Sequence, residues 1–393
     1  MNGPVVRLKD LCSLITKGTT PTSIGFDFSD EGVGFLRVQN VSGGRVNFQN
    51  GTLFIEESVH QELRRSQILP GDILLSIAGT IGRTGVVPAH APALNCNQAL
   101  AIIRPEDKVF RPFLRHWLES DNAKSQMRGA TVTGTIQNLS LAQVGGLQVP
   151  LPPLPEQRRI AAILDQADAL RAKRREALAQ LDSLTQSIFI EMFGDPVTNS
   201  LGWKIVQLDA VANFFGGNSL PEGVPFINQQ DGYFLMKVSD MNLEGNEKSI
   251  ERCQSWSSVS GSRSGTCPAG SIVIPKRGGA IGTNKKRVTT RETVLDPNLM
   301  AISPKLVVVE REYLFQWFQR FDLSSIASGS SVPQLNKQDL IPLKIQVPPL
   351  PIQKLFVNRI EAVETIKASN VSALRELDTL FATLQHRAFQ GEL

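Results

Sequence analysis

The chain repeats a proline-rich phrase. The sequence PPLPEQRRI occupies residues 152–160, and PPLPIQKLF occupies residues 348–356. The two copies lie 196 residues apart in a chain of 393 residues, so their spacing is half of the length. Self-similarity at a fixed interval indicates duplication, and the sequence therefore predicts two copies of one structural unit.

Further phrases recur in the same order in both halves, at offsets between 196 and 201 residues. Unrelated loops would not keep such a constant offset. The matched segments are Val6–Leu8 with Val206–Leu208, Leu36–Asn40 with Met236–Asp240, Pro70–Leu75 with Ala269–Ile274, Gly79–Gly82 with Gly279–Gly282, Leu94–Asn97 with Leu295–Asn298, and Ile136–Leu139 with Pro333–Asn336. The predicted modules are residues 1–151 and 196–347, each followed by a different kind of segment at 152–195 and 348–393.

The residue pattern of each module is typical of a mostly β, α+β domain. Short aliphatic and β-branched runs are separated by Gly, Pro and Asn, which is typical of short strands joined by turn-rich loops. Helices are predicted at 111–118 and 311–318. The predicted strands are 35–41, 73–77, 100–103, 234–238, 272–274 and 343–347.

The segment after each proline phrase predicts one long helix. Pro155 suits a first helical position, and residues 156–193 contain neither Pro nor Gly. Apolar residues recur three and four apart, with one polar break at Arg174 or Asn370. The predicted seams are Ile160, Ile163, Ala167, Leu170, Ala177, Leu181, Leu184 and Ile188, and Phe356, Ile360, Val363, Ile366, Ala373, Leu377, Leu380 and Leu384.

The two helices would each span roughly 55 Å, too long for one small module to cover. We expect them to pair as an antiparallel coiled coil that relates the modules by a pseudo-twofold axis. The alternative is that each helix packs on its own module.

Composition limits the class of protein. No stretch approaches the roughly 18 apolar residues of a membrane helix, and no secretory signal is recognisable. The four cysteines are widely spaced and form no CxxC pair, which favours a reducing, cytoplasmic location. The net charge of +4 permits a polyanionic partner.

A search for catalytic motifs finds none. The Pro pairs lack the context of an amino-methyltransferase loop, and the glycine clusters at 79–85 and 278–282 lack nucleotide-loop spacing. We interpret these clusters as tight turns. The four histidines have no metal-like spacing, and no serine stands in a GxSxG setting. The chain is expected to carry no catalytic and no metal site.

Basic loops favour nucleic-acid binding instead. Lys276, Arg277 and the run 285–287 flank the glycine cluster of the second module, and Arg83 lies beside that of the first. Lysine and arginine contact phosphates, while amides and guanidinium groups hydrogen-bond to base edges. Two similar modules held at a fixed distance would suit duplex DNA.

The whole chain resembles the specificity (S) subunit of type I restriction-modification enzymes. The resemblance rests on Lys17–Pro21, Leu36–Asn40, Pro70–Leu74, Gly79–Gly82, Pro152–Gln157 and Ala388–Leu393. It implies that each module is a target-recognition domain for one half of a bipartite DNA sequence, and that the coiled coil sets the gap between the halves. It further implies two modification (methyltransferase) subunits as partners, which restriction subunits join. S-adenosylmethionine, and ATP with Mg for restriction, would then be bound by those partners and not by this chain.

The second module departs from the family phrases. Its opening loop at 216–221 lacks the threonines, and Ile352 replaces Glu156. The two half-targets are therefore expected to differ.

The residues that we predict to contact DNA are Lys17, Thr19, Arg37, Asn40, Thr80, Arg83 and Gln137 in the first module, and Asn218, Lys237, Lys276, Arg277, Lys285, Lys286, Arg287 and Gln334 in the second. Those that we predict to bind partner subunits, from the outward faces of the helices, are Arg158, Arg171, Arg175 and Lys367. Two alternative functions remain at this point: a single-chain methyltransferase-nuclease with fused recognition domains, and a coiled-coil protein scaffold.

Overall fold

Both predicted long helices are present in a computed structural model, which describes residues 3–49, 51–130, 138–196, 198–328 and 332–393. We number the helices in chain order, so that the long ones are α5 (Leu154–Phe193) and α9 (Leu350–Gln390). The chain divides into two units. Unit 1 is Met1–Glu176 with Val371–Leu393, and unit 2 is Ala177–Asn370. Each long helix therefore gives one part to each unit.

Unit 1 contains two mixed sheets and a two-stranded ribbon. Its strands are β1 (Val5–Arg7), β2 (Cys12–Lys17), β3 (Val33–Leu36), β4 (Val41–Ser42), β5 (Gly44–Val46), β6 (Leu53–Ile55), β7 (Gln67–Ile68), β8 (Ile73–Ser76), β9 (Thr84–Val86), β10 (Leu94–Cys96), β11 (Leu100–Pro105) and β12 (Gln148–Pro150). One sheet has the order β2-β11-β8-β9-β5-β4, the other β6-β3-β10-β7, and β1 pairs with β12. The glycine cluster at 79–85 forms the turn from β8 to β9, where Gly79 and Gly82 have positive φ.

Unit 2 repeats this topology. Its strands are β13 (Lys204–Gln207), β14 (Ala212–Gly216), β15 (Val224–Pro225), β16 (Tyr233–Met236), β17 (Ser249–Ile250), β18 (Ser255–Ser257), β19 (Thr266–Cys267), β20 (Ile272–Pro275), β21 (Arg287–Thr289), β22 (Thr293–Leu295), β23 (Leu299–Pro304) and β24 (Lys344–Val347). The sheets have the orders β14-β23-β20-β21-β17 and β15-β18-β16-β22-β19, and β13 pairs with β24. The α+β class, the mostly β modules and the duplication are thus confirmed.

The shorter helices lie between the strands. They are α1 (Glu57–Glu62), α2 (Arg111–Leu118), α3 (Asp121–Ala130) and α4 (Leu141–Gly146) in unit 1, and α6 (Leu208–Val211), α7 (Arg311–Arg320) and α8 (Lys337–Leu340) in unit 2. The predicted helix at 111–118 is confirmed, and the one at 311–318 extends two residues further.

The predicted strands 35–41 and 234–238 were too long. Each strand ends at residue 36 or 236, and a 3₁₀ turn follows it. The side chain of Asn40 accepts the Arg37 amide at 2.9 Å, and Asp240 accepts the Lys237 amide at 2.7 Å. These local bonds offer the backbone an alternative to the sheet, so the chain turns there.

Side chains on the two faces of the central strands contribute to two different hydrophobic cores in unit 1. Ile73, Leu75 and Ile103 pack with Phe113 of α2 and with the long helices. The intervening residues on the same strands, such as Leu74 and Ile102, pack against the second sheet. Because successive strand residues point to opposite faces, a strand covered on both sides is apolar throughout.

The two long helices pair antiparallel within each unit. In unit 1, Arg171 binds Asp378 at 2.6 Å, and Arg159 donates to the Leu393 carbonyl at 2.6 Å. In unit 2, Lys367 binds Asp182 at 2.6 Å, and the rings of Phe189 and Phe356 lie 5.7 Å apart. As the residue number rises along α5, that of its neighbour in α9 falls, which confirms the predicted antiparallel pairing.

Four positions of the predicted seam were wrong by one residue. Leu170, Leu184, Ile366 and Leu380 are exposed, at 48%, 44%, 51% and 49%. The buried or half-buried residues in their place are Arg171, Thr185, Lys367 and Phe381, and the other positions of the predicted seam form a buried or half-buried row in both helices. The predicted polar breaks at Arg174 and Asn370 do lie in this row.

The glutamine of each proline phrase joins a module to its long helix. Gln157 accepts the Phe110 amide at 2.8 Å, directly before α2, and donates to the Pro152 carbonyl at 2.8 Å. Gln353 does the same with the Glu310 amide, before α7, and with Pro348. Both side chains are buried. The repeated phrase thus encodes a proline start and a glutamine clamp.

Candidate nucleic-acid interface

Several predicted residues of the first module gather around one turn, residues 96–99, which follows β10. Three backbone hydrogen bonds hold neighbouring loops to it: Thr19 N to Cys96 O at 3.0 Å, Asn97 N to Leu36 O at 3.0 Å, and Ile77 N to Ala99 O at 2.8 Å. These bonds bring Lys17, Thr19 and Arg37 together, with Thr80 in the turn beyond Ile77. We call this group the first turn edge.

The second module has an equivalent turn at residues 295–298, after β22. The hydrogen bonds here are Asn218 N to Leu295 O at 3.0 Å, Asp296 N to Met236 O at 3.0 Å, and Lys276 N to Asn298 O at 2.8 Å. They bring together Asn218, Lys237, Lys276 and Arg277, and Arg277 also forms a β-bridge with Gln334. This group is the second turn edge.

Both edges are positively charged. Lys17, Lys237 and Arg277 are exposed, and Arg37 is half-buried with no hydrogen-bond partner for its Nε among the described residues. Burial, and then the neighbouring Arg277, lower the pKa of Lys276. These cations lie where protein–DNA interfaces place phosphate contacts, on loops beside polar side chains.

Two predicted residues are buried and have internal partners. Asn40 is 3% exposed, and its side chain holds the Arg37 amide and the Asn47 carbonyl. Lys286 is 1% exposed, and its ammonium group donates to the Phe321 carbonyl at 2.6 Å and to Asn284 at 2.7 Å. Burial lowers the pKa of Lys286 to about 8. Both residues therefore stabilise the module itself, and their contact with DNA stays a prediction.

Three further cations lie outside the turn edges. Arg83 lines a cavity of about 740 Å³ beside α5 and α9 in unit 1. Lys285 binds the side chain of Asn242, and Arg287 donates to the Lys286 carbonyl at 2.9 Å. Burial lowers the pKa of Arg287. The structure thus divides the predicted basic cluster of the second module into an edge part and a separate part.

Gln137 lies outside the described residues, but its neighbour was missed. Asn138 forms a β-bridge with Ala78, as Gln334 does with Arg277. The hydrogen bonds also align Asn97 with Asp296, so the two copies correspond here at an offset of 199 and not 201. Asn138 is exposed at the first turn edge. An alignment of the two repeats that matched the ends of their strands would have identified Asn138.

Three of the four residues predicted to bind partners form ion pairs between the two long helices. Arg171 and Lys367 do not lie on outward faces, because each forms an ion pair across the coil. Arg175 also reaches Asp378, at 3.0 Å, and Arg158 lies 5.7 Å from the centre of the Phe110 ring. Their binding to another subunit stays a prediction.

No set of three or more His, Cys, Asp or Glu side chains among the described residues is arranged to hold a metal ion. Within the same residues, no helix is both long and apolar enough to span a membrane.

The match to a family decides what these modules are. The family described as the type I restriction modification DNA specificity domain matches residues 4–180 and again residues 201–374. The chain belongs to this family.

Individual relatives agree. Over 193 residues, the chain is 31% identical to the Escherichia coli type I restriction enzyme EcoBI specificity subunit, covering 48% of this chain and 40% of that protein. It is 20% identical to the MjaIX specificity subunit of Methanocaldococcus jannaschii, over 99% of this chain and 93% of that one. The prediction of a specificity subunit, and not an enzyme, is confirmed, and neither alternative function is favoured.

Solved structures share the fold. A chain from a study of complex assembly and conformational transition of the type I R-M system superposes with a TM-score of 0.57, at 20% identity, over 100% of this chain and 99% of that one. The S subunit from M. genitalium superposes with a TM-score of 0.56, at 14% identity, over 99% of this chain and 96% of that one.

Proposed function

We propose that the chain selects the DNA sequence for a type I restriction-modification complex, and that each module binds one half of a bipartite duplex target through its turn edge. The observation that carries this proposal is the equivalence of the two edges. Each is built by the same three backbone hydrogen bonds, and each carries cations beside amide or hydroxyl groups. Cations position DNA through its phosphates, while amides discriminate between bases.

The chemistry is delegated to partner subunits. Two modification subunits bind S-adenosylmethionine and methylate the target, and restriction subunits use ATP with Mg. This chain supplies sequence choice and the spacing between half-targets, and it acts in the cytoplasm with the DNA. The absence of any catalytic motif in the sequence supports this division of labour.

The modification subunits dock on the exposed apolar residues of the long helices. In unit 1, Asp165 binds Arg115 of α2 at 2.8 Å. Leu170, five residues further along α5, is rotated about 140° from Asp165 and so faces away from the module. Leu380 lies five residues before Gln385, which donates to a backbone carbonyl of α2, and it too faces away.

Unit 2 has the same pair of apolar residues at the equivalent positions. Glu364 binds Lys248 of the module at 3.3 Å, and Ile366 is rotated about 200° from it. The backbone carbonyl of Gln186 accepts a hydrogen bond from Arg320 of α7, and Leu184, two residues earlier in α5, is rotated about 200° from Gln186. One apolar pair in each unit fits two copies of one partner, each packing a helix on its pair.

Co-expression with the modification subunit tests the main proposal. Single-molecule sequencing of the methylated genome should give a split motif with two different halves and a fixed gap. A continuous motif, or no methylation that depends on this chain, would contradict it.

Two measurements separate the alternatives. S-adenosylmethionine binding by this chain alone would favour the single-chain methyltransferase. DNA binding that falls steeply with salt supports the proposal, because released counterions drive it, whereas a salt-independent interaction with protein alone would favour the scaffold.

A further inference from the structure

Unit 1 has an open cavity of about 670 Å³ beside the first turn edge. Gln39 and Asn40, which follow Arg37 and Val38 in the chain, form part of its lining. The hairpin of β4 and β5 forms one wall, and the floor contains Val46, Phe48, Val86 and Pro88. The cavity therefore adjoins the surface that we assign to DNA, and apart from Asn40 its lining residues are not among the predicted contacts.

Five polar side chains on the rim of this cavity have no hydrogen-bond partner in the described structure. Gln39, Ser42, Arg45, Gln49 and His90 are all exposed, and their side chains form no hydrogen bond with another described residue. The His90 ring lies 6.1 Å from that of Phe48. Both amides and the guanidinium group are thus free to bind a ligand.

The charge of the lining selects the ligand. No carboxylate lines this cavity, whereas Glu119, Asp121, Asp168 and Asp378 line the cavity of about 740 Å³ in the same unit. A polyanion could approach this cavity without repulsion. A glutamine amide matches the N6 and N7 groups of adenine, and arginine matches the O6 and N7 groups of guanine.

The second module lacks these side chains at the equivalent positions. The strand registers align Arg45 with Ser249, because both follow the same pairing to β9 or β21. Two residues further, Asn47 corresponds to Glu251. In unit 2, the loop that precedes Ser249 is held inward by buried Asn246, which donates to the Asp240 and Arg252 carbonyls. The lining side chains at these positions therefore differ between the two modules.

We propose that this cavity binds purine edges in the major groove and determines the base preference of one half-target. Gln39 and Gln49 hydrogen-bond to adenine, Arg45 to guanine, and the Phe48 side of the floor contacts the methyl group of thymine. This inference rests on the proposed function and adds the residues that read the bases.

The experiment uses the full chain assembled with its modification subunit. The wild-type methylated motif first defines the two half-targets. Binding is then measured on duplexes in which each base pair of the motif is changed in turn, for Gln39→Ala, Arg45→Ala and Gln49→Ala. At one or two positions of one half-target, discrimination should fall roughly 5- to 150-fold, while the other half-target keeps its full discrimination.

A specificity change provides an independent readout. Gln49→Glu places an acceptor-only group in the cavity and should shift preference from adenine towards cytosine at the same position. Arg65→Ala, which removes an exposed arginine of the same module outside the cavity, is the matched control and should change no position. Retained discrimination at the other positions of the same half-target reports that the first module of each variant is folded.

Two results would overturn the proposal. Equal weakening on all duplexes would assign these residues to phosphate contacts alone, and unchanged discrimination would remove the cavity from the interface. Both differ from failure of the proposed function, in which the wild-type chain would give no split motif.

Discussion

At the scale of single residues, the repeated phrase shows what spacing can and cannot predict. The prolines predicted a helix start, and both helices begin within the phrase. The glutamine clamp was not predicted, because its partners, the amides of Phe110 and Glu310, lie more than 40 residues away in sequence. A contact between distant segments leaves no local pattern.

Replacing Gln353 by Ala should destabilise the protein by about 1–3 kcal/mol, since the Glu310 amide and the Pro348 carbonyl would lose their buried partner. Urea denaturation measures this change in the free energy of unfolding. The exposed neighbour Lys354→Ala should change stability by less than about 0.5 kcal/mol. Equal effects of the two substitutions would contradict the clamp.

The buried Lys286 shows why a run of basic residues in the sequence does not form a continuous basic surface. In an extended segment, successive side chains point to opposite sides, so Lys285, Lys286 and Arg287 cannot all face solvent. The sequence predicted three DNA contacts here, and the structure gives Lys286 two internal acceptors.

Lys286 should also make stability depend on pH. Its folded pKa of about 8 lies below the ordinary value of 10.5, so the unfolded chain holds the proton more tightly between these values. Stability should therefore rise with pH over this window, by about 3 kcal/mol in total.

Urea denaturation of the wild type and of Lys286→Met at pH 7, 9 and 10.5 measures this contribution. The wild type should gain stability relative to the variant as the pH rises. The exposed Lys344→Met should follow the wild type, and parallel curves for wild type and Lys286→Met would refute the assignment.

At the scale of elements, the phase of the coil was the main error. The predicted and observed rows differ at the exposed residues 170, 184, 366 and 380, and agree at the other predicted positions, which are buried or half-buried. The leucines at 170 and 184 made the predicted row more apolar than the observed row, which contains Arg171 and Thr185. The modules decide the phase, because they cover one flank of each helix through contacts such as Arg115 with Asp165.

The double variant Leu170→Glu and Leu380→Glu should abolish docking at unit 1 and leave the fold intact, because both side chains already face solvent. The complex should then contain one modification subunit instead of two, as measured by native mass spectrometry. Ala169→Glu, an exposed change on the same helix, should keep both copies. Retention of both copies by the double variant would place the docking surface elsewhere.

By contrast, Leu164→Ala should cost about 2–5 kcal/mol of stability, because Leu164 is fully buried in the unit 1 core. Leu170→Ala should cost little in the isolated chain. Thermal or urea denaturation distinguishes the two phases of the seam, and the reverse order of effects would restore the predicted one.

At the scale of the whole molecule, the sequence was most informative. Duplication predicted two modules, the uninterrupted apolar periodicity predicted two long helices, and both followed from features that extend over many residues. The turn edges needed the fold, since each joins four separate loops. Their residue types were predictable, but their grouping depended on hydrogen bonds between strand ends.

The coiled coil should set the gap between the half-targets. Deleting residues 174–180 and 370–376 removes one heptad from each helix, which keeps the phase of the seam. The helices shorten by about 10 Å, or roughly three base pairs. Methylation mapping should show the same half-motifs with a gap about three base pairs shorter, and an unchanged gap would refute the ruler.

The division of the chain into units has a consequence for its synthesis. Unit 2 is one uninterrupted segment, whereas unit 1 needs residues 371–393 to cover Phe113, whose ring lies 5.5 Å from that of Phe389. On the ribosome, the half that emerges first therefore waits with an uncovered apolar surface until these late residues appear. The nascent protein would complete its units in the reverse of the order in which it began them.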